Sequence, residues 1–181
     1  MKKETSKLII YFVAVAAVIL LIVWSSANRS GDNSSSVNSP ANSSSADFSS
    51  AGALTAEESH FDFKTISMAN GKVSHRFELK NSGPEPLKIK KVYTSCMCTV
   101  ALVTNAKGAA YGPFGMPGHG DSSLGANIEI NAGESIVVEA VFDPAAHGPQ
   151  GVGKIKRVVY LDTNSADQPQ TQLTFSAEVV K

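Results

Sequence analysis

The chain is poor in cysteine and in aromatic residues, and it has no excess of either charge. Its 181 residues include two cysteines, and aromatic residues make up 7% of the sequence. Two cysteines that lie one residue apart cannot form the dispersed disulfide framework of a small secreted scaffold. Lysine plus arginine and aspartate plus glutamate both number 16, and no basic or basic-aromatic stretch favours nucleic acid. We therefore expect no nucleic-acid partner.

Catalytic motifs are also missing from the sequence. Serine, histidine and aspartate are all present, but no nucleophile elbow, phosphate-binding loop or paired-carboxylate motif occurs. No segment after residue 58 shows the 3.6-residue period of an amphipathic helix. We therefore predict that the chain is not an enzyme and that its folded part is all-β.

One long apolar run is present, and it lies near the N-terminus. Leu8–Trp24 contains no charged residue and follows three lysines within residues 1–7. As a helix, the run would span about 26 Å of a hydrocarbon core about 30 Å thick. It predicts a single-pass anchor in the cell membrane, with a cytoplasmic N-terminus and an extracytoplasmic C-terminal domain. A signal peptide cleaved near Ser25–Ala27 is the alternative, although the run is longer than the usual signal core.

The segment after the run has the composition of a linker. Residues 25–58 are dominated by serine, asparagine, alanine and glycine, with few apolar side chains. Such a segment cannot bury enough apolar surface to offset the conformational entropy that it would lose on folding. It predicts a flexible linker between the anchor and a folded domain at residues 59–181.

The predicted domain alternates apolar and polar residues with a period of two. The segments 73–79, 136–142 and 173–179 each place every second side chain on an apolar face. In a further strand the alternation slips at Lys90–Lys91, which predicts a β-bulge or a bend. About seven short strands separated by turn residues favour an antiparallel β-sandwich. The glycine-rich stretch 104–126 is expected to be a long irregular loop.

Several of these segments form a recognisable series. The series is Val73–Leu79, Asn81-x-Gly83, Leu87-x-Ile89 and Ser95-Cys96-Met97-Cys98-Thr99. It resembles the bacterial domain-of-unknown-function family 1573 over about residues 61–180. The resemblance implies an immunoglobulin-like β-sandwich related to ciliary and sperm-protein modules, and it implies no enzyme activity. The chain departs from the family at Lys64 and Met97, where glycine is usual, and in a longer stretch after Cys98.

Cys96 and Cys98 are the residues with the most distinctive chemistry. On a strand their side chains would share one face with Cα atoms about 6.6 Å apart, which lies at the edge of the range for a disulfide. Met97 would then point into the core. The glycine-rich stretch adds Met116 and His119, which are soft and borderline ligands. If that loop folds over the strand, these four residues predict a site for Cu(I), or for Zn(II) without Met116.

Three interpretations of the cysteine pair stay open: a metal site, a strained redox-active disulfide, and inert thiols that pack as small apolar residues. Among the histidines, His75 is expected in the core with its ring nitrogens hydrogen-bonded, and His147 is expected to be solvated in a turn.

We predict a membrane-tethered extracytoplasmic binding or scaffold domain that needs no cofactor. Its expected partners are the membrane, through the N-terminal helix, and a protein of the cell envelope. Handling of copper or another soft metal, or thiol-redox chemistry at the Cys-x-Cys pair, is the alternative function.

Overall fold

The computed structural model describes residues 49–119 and 125–181. The predicted N-terminal segment 1–7, the predicted anchor 8–24 and most of the predicted linker 25–58 lie outside the described residues. Within the described residues, no helix is long and apolar enough to cross a membrane.

The described residues form strands and two short 3₁₀ turns, so the all-β prediction is confirmed. The strands are β1 (Leu54–Ala56), β2 (His60–Ser67), β3 (Val73–Asn81), β4 (Leu87–Thr94), β5 (Thr99–Thr104), β6 (Ala110–Phe114), β7 (Ile128–Ile130), β8 (Ser135–Phe142), β9 (Gly153–Thr163) and β10 (Gln170–Val180). The 3₁₀ turns are Met68–Asn70 and Gly148–Gly151.

The strands form two five-stranded sheets around one apolar core. The first sheet has the order β1-β3-β8-β5-β6, and the second has the order β2-β10-β9-β4-β7. Adjacent strands run antiparallel except for β2 and β10, which run parallel. The predicted two-sheet sandwich is therefore confirmed at the level of architecture, but one sheet is mixed rather than antiparallel.

The core contains the side chains that the alternating pattern assigns to the inner faces. Phe77, Val138 and Phe175 are at most 1% exposed, and burial of each such side chain stabilises the fold by about 1.5–3 kcal/mol. The predicted slip in β4 is also present, because the pairing of β4 with β9 shifts register between Ile89 and Lys91. The extra residue returns Val92 to the buried face, where it is 1% exposed.

Two predicted boundaries need correction. The stretch 104–126 is not wholly irregular, since it contains β6, which pairs with β5. The linker prediction extends too far, because β1 lies within residues 25–58 and pairs with β3. Leu54 is 1% exposed, and the apolar contact that it makes is the reason this end of the segment folds onto the sandwich.

Asn81 explains why the Asn-x-Gly series has this spacing. The residue is fully buried, and its side-chain oxygen accepts hydrogen bonds of 3.1 Å from the N–H groups of Ala53 and Gly83. Its amide group donates to two backbone carbonyl oxygens at 2.8 and 3.1 Å. A Cβ at Gly83 would lie 2.5 Å from a backbone oxygen. This turn therefore ties β1 to the loop after β3, and it is a structural feature.

Two other residues singled out in the sequence are also structural. Lys64 has φ 61, a left-handed conformation that glycine adopts with less strain. His75 is half-buried rather than fully in the core. Its ring stacks on Phe61 at 3.7 Å, and its Nε2 lies 3.0 Å from a carboxylate oxygen of Glu58.

Candidate functional site at the cysteine turn

Cys96 and Cys98 lie in a tight turn that leads from β4 in one sheet to β5 in the other. The Thr99 N–H donates to the Cys96 carbonyl oxygen at 3.1 Å and closes the turn. The buried hydroxyl of Thr94 lies 3.0 Å from each of the carbonyl oxygens of Cys96 and Thr99. The strand geometry considered for the two cysteines therefore does not apply, because this local hydrogen bonding turns the chain between the sheets.

The turn still brings the two sulfur atoms to one side. The Cys98 N–H donates to the Cys96 Sγ at 3.5 Å, and both cysteines are free thiols. Cys98 is 3% exposed within the core, whereas Cys96 is half-buried. Met97 occupies the tip of the turn and is 51% exposed, so it does not pack in the core as it would on a regular strand.

His147 approaches the cysteine turn from the end of β8. The Asp143 N–H donates to the Cys98 carbonyl oxygen at 2.9 Å and holds the two turns together. The Asp143 side chain accepts a hydrogen bond of 2.9 Å from the Ala145 N–H and shapes the turn that follows. His147 is exposed, as expected of a turn residue, but its Nε2 lies 3.1 Å from the Cys96 Sγ. No sequence pattern predicts that contact.

The ligand atoms of Cys96, Cys98 and His147 all lie within 4.8 Å of one another. Among the histidine, cysteine and acidic side chains in the described part of the chain, these three residues lie close enough together to hold a metal ion. We call these three residues the Cys/His cluster. It contains both cysteines of the site predicted from the sequence, with a different histidine.

Met116 and His119 lie in the turn that follows β6. The His119 N–H donates to the Met116 carbonyl oxygen at 3.1 Å, and the preceding Gly115 accepts a hydrogen bond of 3.1 Å from the Thr94 N–H. The loop therefore begins beside the end of β4, but His119 is not part of the Cys/His cluster. The ligand roles of Met116 and His119 stay predictions from the sequence.

Arg157 of β9 supplies a positive charge beside the buried thiol. Its Nε donates to the Cys98 Sγ at 3.2 Å, and its Nη1 donates to the Lys156 carbonyl oxygen at 2.9 Å. The second contact fixes the guanidinium plane against the backbone. No sequence pattern selects this arginine, because it lies on a strand 59 residues further along the chain than Cys98.

The pKa values of the two thiols shift in opposite directions. Burial raises the pKa of Cys96, but hydrogen bonds from Cys98 and His147, together with the charge of Arg157, outweigh burial and lower this pKa to about 7. Burial, followed by the hydrogen bond that the Cys98 thiol donates to Cys96, raises the pKa of Cys98. Near neutral pH, Cys96 is therefore the more readily ionised of the two thiols, and Cys98 is its protonated neighbour.

The arrangement supports two kinds of chemistry. Two sulfur donors and one imidazole nitrogen suit Cu(I) and Zn(II), and the exposed side of His147 gives an ion access. Without a metal, a half-buried thiolate beside a second thiol suits thiol–disulfide exchange. The interpretation as inert thiols is disfavoured, since Cys96 is neither fully buried nor surrounded only by apolar groups.

The fold and the site together define a two-sheet β domain with a Cys/His cluster at one of its turns. The family model described as protein of unknown function, DUF1573, matches residues 54–110. This range includes both cysteines, whereas His147 and Arg157 lie beyond it. Among curated proteins, none matches the chain.

Solved structures with a similar fold include a protein of unknown function from Porphyromonas gingivalis W83. It is 17% identical, with a TM-score of 0.51, and the alignment covers 70% of this chain and 46% of that one. The chain thus covers less than half of that protein, and the likeness concerns the fold alone. The ASH/PapD-like domain 7 of human CEP192 is 12% identical with a TM-score of 0.43, over 83% of this chain and 99% of that one.

Proposed function

We propose that this chain is a membrane-tethered extracytoplasmic binding domain and that its ligand is a soft metal cation, Cu(I) or Zn(II). The observation that carries the proposal is the Cys/His cluster, whose three ligand atoms lie within 4.8 Å of one another. These three donors come from two separate turns, which the backbone hydrogen bond from Asp143 to Cys98 fixes against each other. The fold therefore prepares the donors before any ion arrives.

The proposed location rests on the N-terminal sequence. Three lysines precede the apolar run Leu8–Trp24, and this charge bias favours an N-terminus inside and a domain outside. An immunoglobulin-like sandwich on a serine- and asparagine-rich linker would display the cysteine turn above the membrane surface. A protein of the envelope that delivers or receives the ion is the partner that this arrangement suggests.

The residues fit the proposed ions in type and in accessibility. Thiolates are the ligands that favour Cu(I), and they also bind Zn(II) together with imidazole. Binding requires both cysteines to be deprotonated, and Arg157 lies where it stabilises the charge on Cys98. Cys96 and His147 face the solvent side of the turn, so an ion can reach them without any opening of the sandwich.

The experiment is a metal titration of the reduced full-length protein in detergent. Cu(I) is offered against a chromophoric chelator, and Zn(II) is offered separately. We expect one ion per chain, loss of binding in C96S and C98S, and about a tenfold or larger loss in H147A, because removal of a ligand should cost at least as much affinity as removal of a ligand's outer-shell partner. H60A, which changes an exposed histidine of β2, is the matched control. Absence of stoichiometric binding of either ion by the reduced protein contradicts the proposal.

The second candidate function is thiol–disulfide exchange, which is favoured by the Cys96 pKa of about 7. The Cys96 thiolate would attack a substrate disulfide, form a mixed disulfide and release one substrate thiolate. Cys98 would then lose its proton and attack the Cys96 sulfur, which releases the second substrate thiolate and leaves a Cys96–Cys98 disulfide. A model disulfide such as oxidised glutathione tests this. The mixed disulfide should accumulate in C98S and not in C96S, and its absence in C98S excludes this candidate.

A further inference from the structure

Arg157 has no acidic partner within the described structure. The ion pairs among the described residues are Lys64–Asp62, His75–Glu58 and Arg76–Glu139, and none of them includes Arg157. Its guanidinium instead donates from Nε to the Cys98 Sγ and from Nη1 to a backbone carbonyl oxygen. Since arginine stays protonated in proteins, this half-buried side chain places a permanent positive charge against one sulfur of the Cys/His cluster.

The net charge of the metal-loaded Cys/His cluster together with its neighbour Arg157 follows from the residues. Cys96 and Cys98 each contribute one negative charge when they bind a metal, His147 is neutral as a ligand, and Arg157 adds one positive charge. A monovalent cation makes this total zero. A divalent cation leaves one net positive charge in a site where one sulfur is in the core, and uncompensated charge is costly there.

The donor types favour the same kind of ion. The cluster offers two sulfur atoms and one imidazole nitrogen within the described residues, a set on which Zn(II) would need a water as its fourth ligand. Cu(I) prefers sulfur donors and is monovalent. Charge and donor set therefore agree on a soft monovalent cation.

We propose that Arg157 is a specificity-determining residue that biases the Cys/His cluster toward Cu(I) and against Zn(II). This inference depends on the proposed metal-binding function. The physical basis is that a fixed positive charge repels a divalent ion twice as strongly as a monovalent ion at the same distance. Arg157 also stabilises the Cys98 thiolate. Loss of that stabilisation would lower the affinities for Cu(I) and Zn(II) equally, since both ions bind the same two thiolates.

The test compares Zn(II) and Cu(I) affinities of the full-length reduced protein in detergent, before and after removal of this charge. In R157Q we expect the ratio of Zn(II) affinity to Cu(I) affinity to rise about tenfold, an effect reduced from the bare Coulomb value by solvent screening. R157K keeps the charge and should keep the wild-type ratio. R76Q is the matched control, because Arg76 is an exposed arginine that pairs with Glu139.

Each outcome decides the matter. Equal changes of both affinities in R157Q mean that Arg157 is merely structural and overturn the inference, as does a changed ratio in R76Q of the same size. If R157Q does not fold by circular dichroism, R157M removes the same charge while it keeps the apolar stem. Wild-type protein that binds neither ion refutes the proposed function itself, whereas binding with an unchanged ratio in the variants refutes only the role of Arg157.

Discussion

At the scale of single residues, the Cys/His cluster separates two thiols that look equivalent in the sequence. Cys96 is half-buried, contacts His147 and has a pKa lowered to about 7. Cys98 lies in the core and has a raised pKa. Neighbouring groups, rather than the residue type, therefore decide which sulfur is the more readily ionised, and in the proposed functions that sulfur would be the nucleophile or the first metal ligand.

The first prediction concerns the pH dependence of thiol alkylation. Because a thiol reacts as the thiolate, Cys96 should be unreactive well below pH 7 and should gain reactivity as pH rises through about 7. Cys98 should react later and more slowly. Mass spectrometry of the metal-free reduced protein, after short pulses of iodoacetamide, measures each cysteine separately. H147A should move the Cys96 midpoint upward, whereas H60A should not. A midpoint for wild-type Cys96 near that of an ordinary free cysteine contradicts the assignment.

At the scale of elements, hydrogen-bonded turns hold the site and the sandwich together. The Asn81 turn joins β1 to the loop after β3, and the cysteine turn joins β4 to β5 across the two sheets. Both turns depend on buried polar groups whose hydrogen bonds are all made within the described structure, and such groups are costly to leave unpaired.

The second prediction is that N81A lowers the free energy of unfolding by about 2–4 kcal/mol, because it leaves several buried backbone groups without partners. Chemical denaturation of the full chain in detergent measures the change, with far-ultraviolet circular dichroism as the signal. N105A is a matched asparagine control in a surface turn, and it should cost less. A cost for N81A within about 0.5 kcal/mol of zero would show that the turn is dispensable.

The same scale shows where prediction from the sequence succeeds and where it stops. The alternating pattern predicts β3, β8 and β10, and the slip at Lys90–Lys91 predicts the bulge, because burial on one face leaves a local signature. An i to i+2 cysteine spacing fits a strand and a turn equally well, so the spacing alone does not predict the cysteine turn. The contact of His147 with Cys96 depends on two strands that pair across a long stretch of chain, and no local pattern encodes it.

At the scale of the whole molecule, the proposed chemistry depends on the predicted membrane anchor and on the compartment in which it would place the sandwich. The positive residues before Leu8–Trp24 predict an extracytoplasmic domain. Compartments outside the cytoplasm are oxidising toward thiols. The location of the domain is therefore tested directly.

The third prediction is that a membrane-impermeant maleimide labels Cys96 in intact spheroplasts at pH 7.5. Cys96 is half-buried and substantially thiolate at that pH, so external reagent should reach it. C96S measures the residual labelling of Cys98, and lysed spheroplasts give the maximum signal. Labelling that occurs only after lysis places the domain in the cytoplasm and contradicts the predicted topology.

The most direct test of the central claim is X-ray absorption spectroscopy of the copper-loaded full-length protein. The account predicts a Cu(I) edge and a first shell of two sulfur atoms and one nitrogen atom, with the nitrogen lost in H147A and retained in H119A. A shell without two sulfur atoms, or a nitrogen that disappears in H119A and persists in H147A, would contradict the assignment of the metal to Cys96, Cys98 and His147.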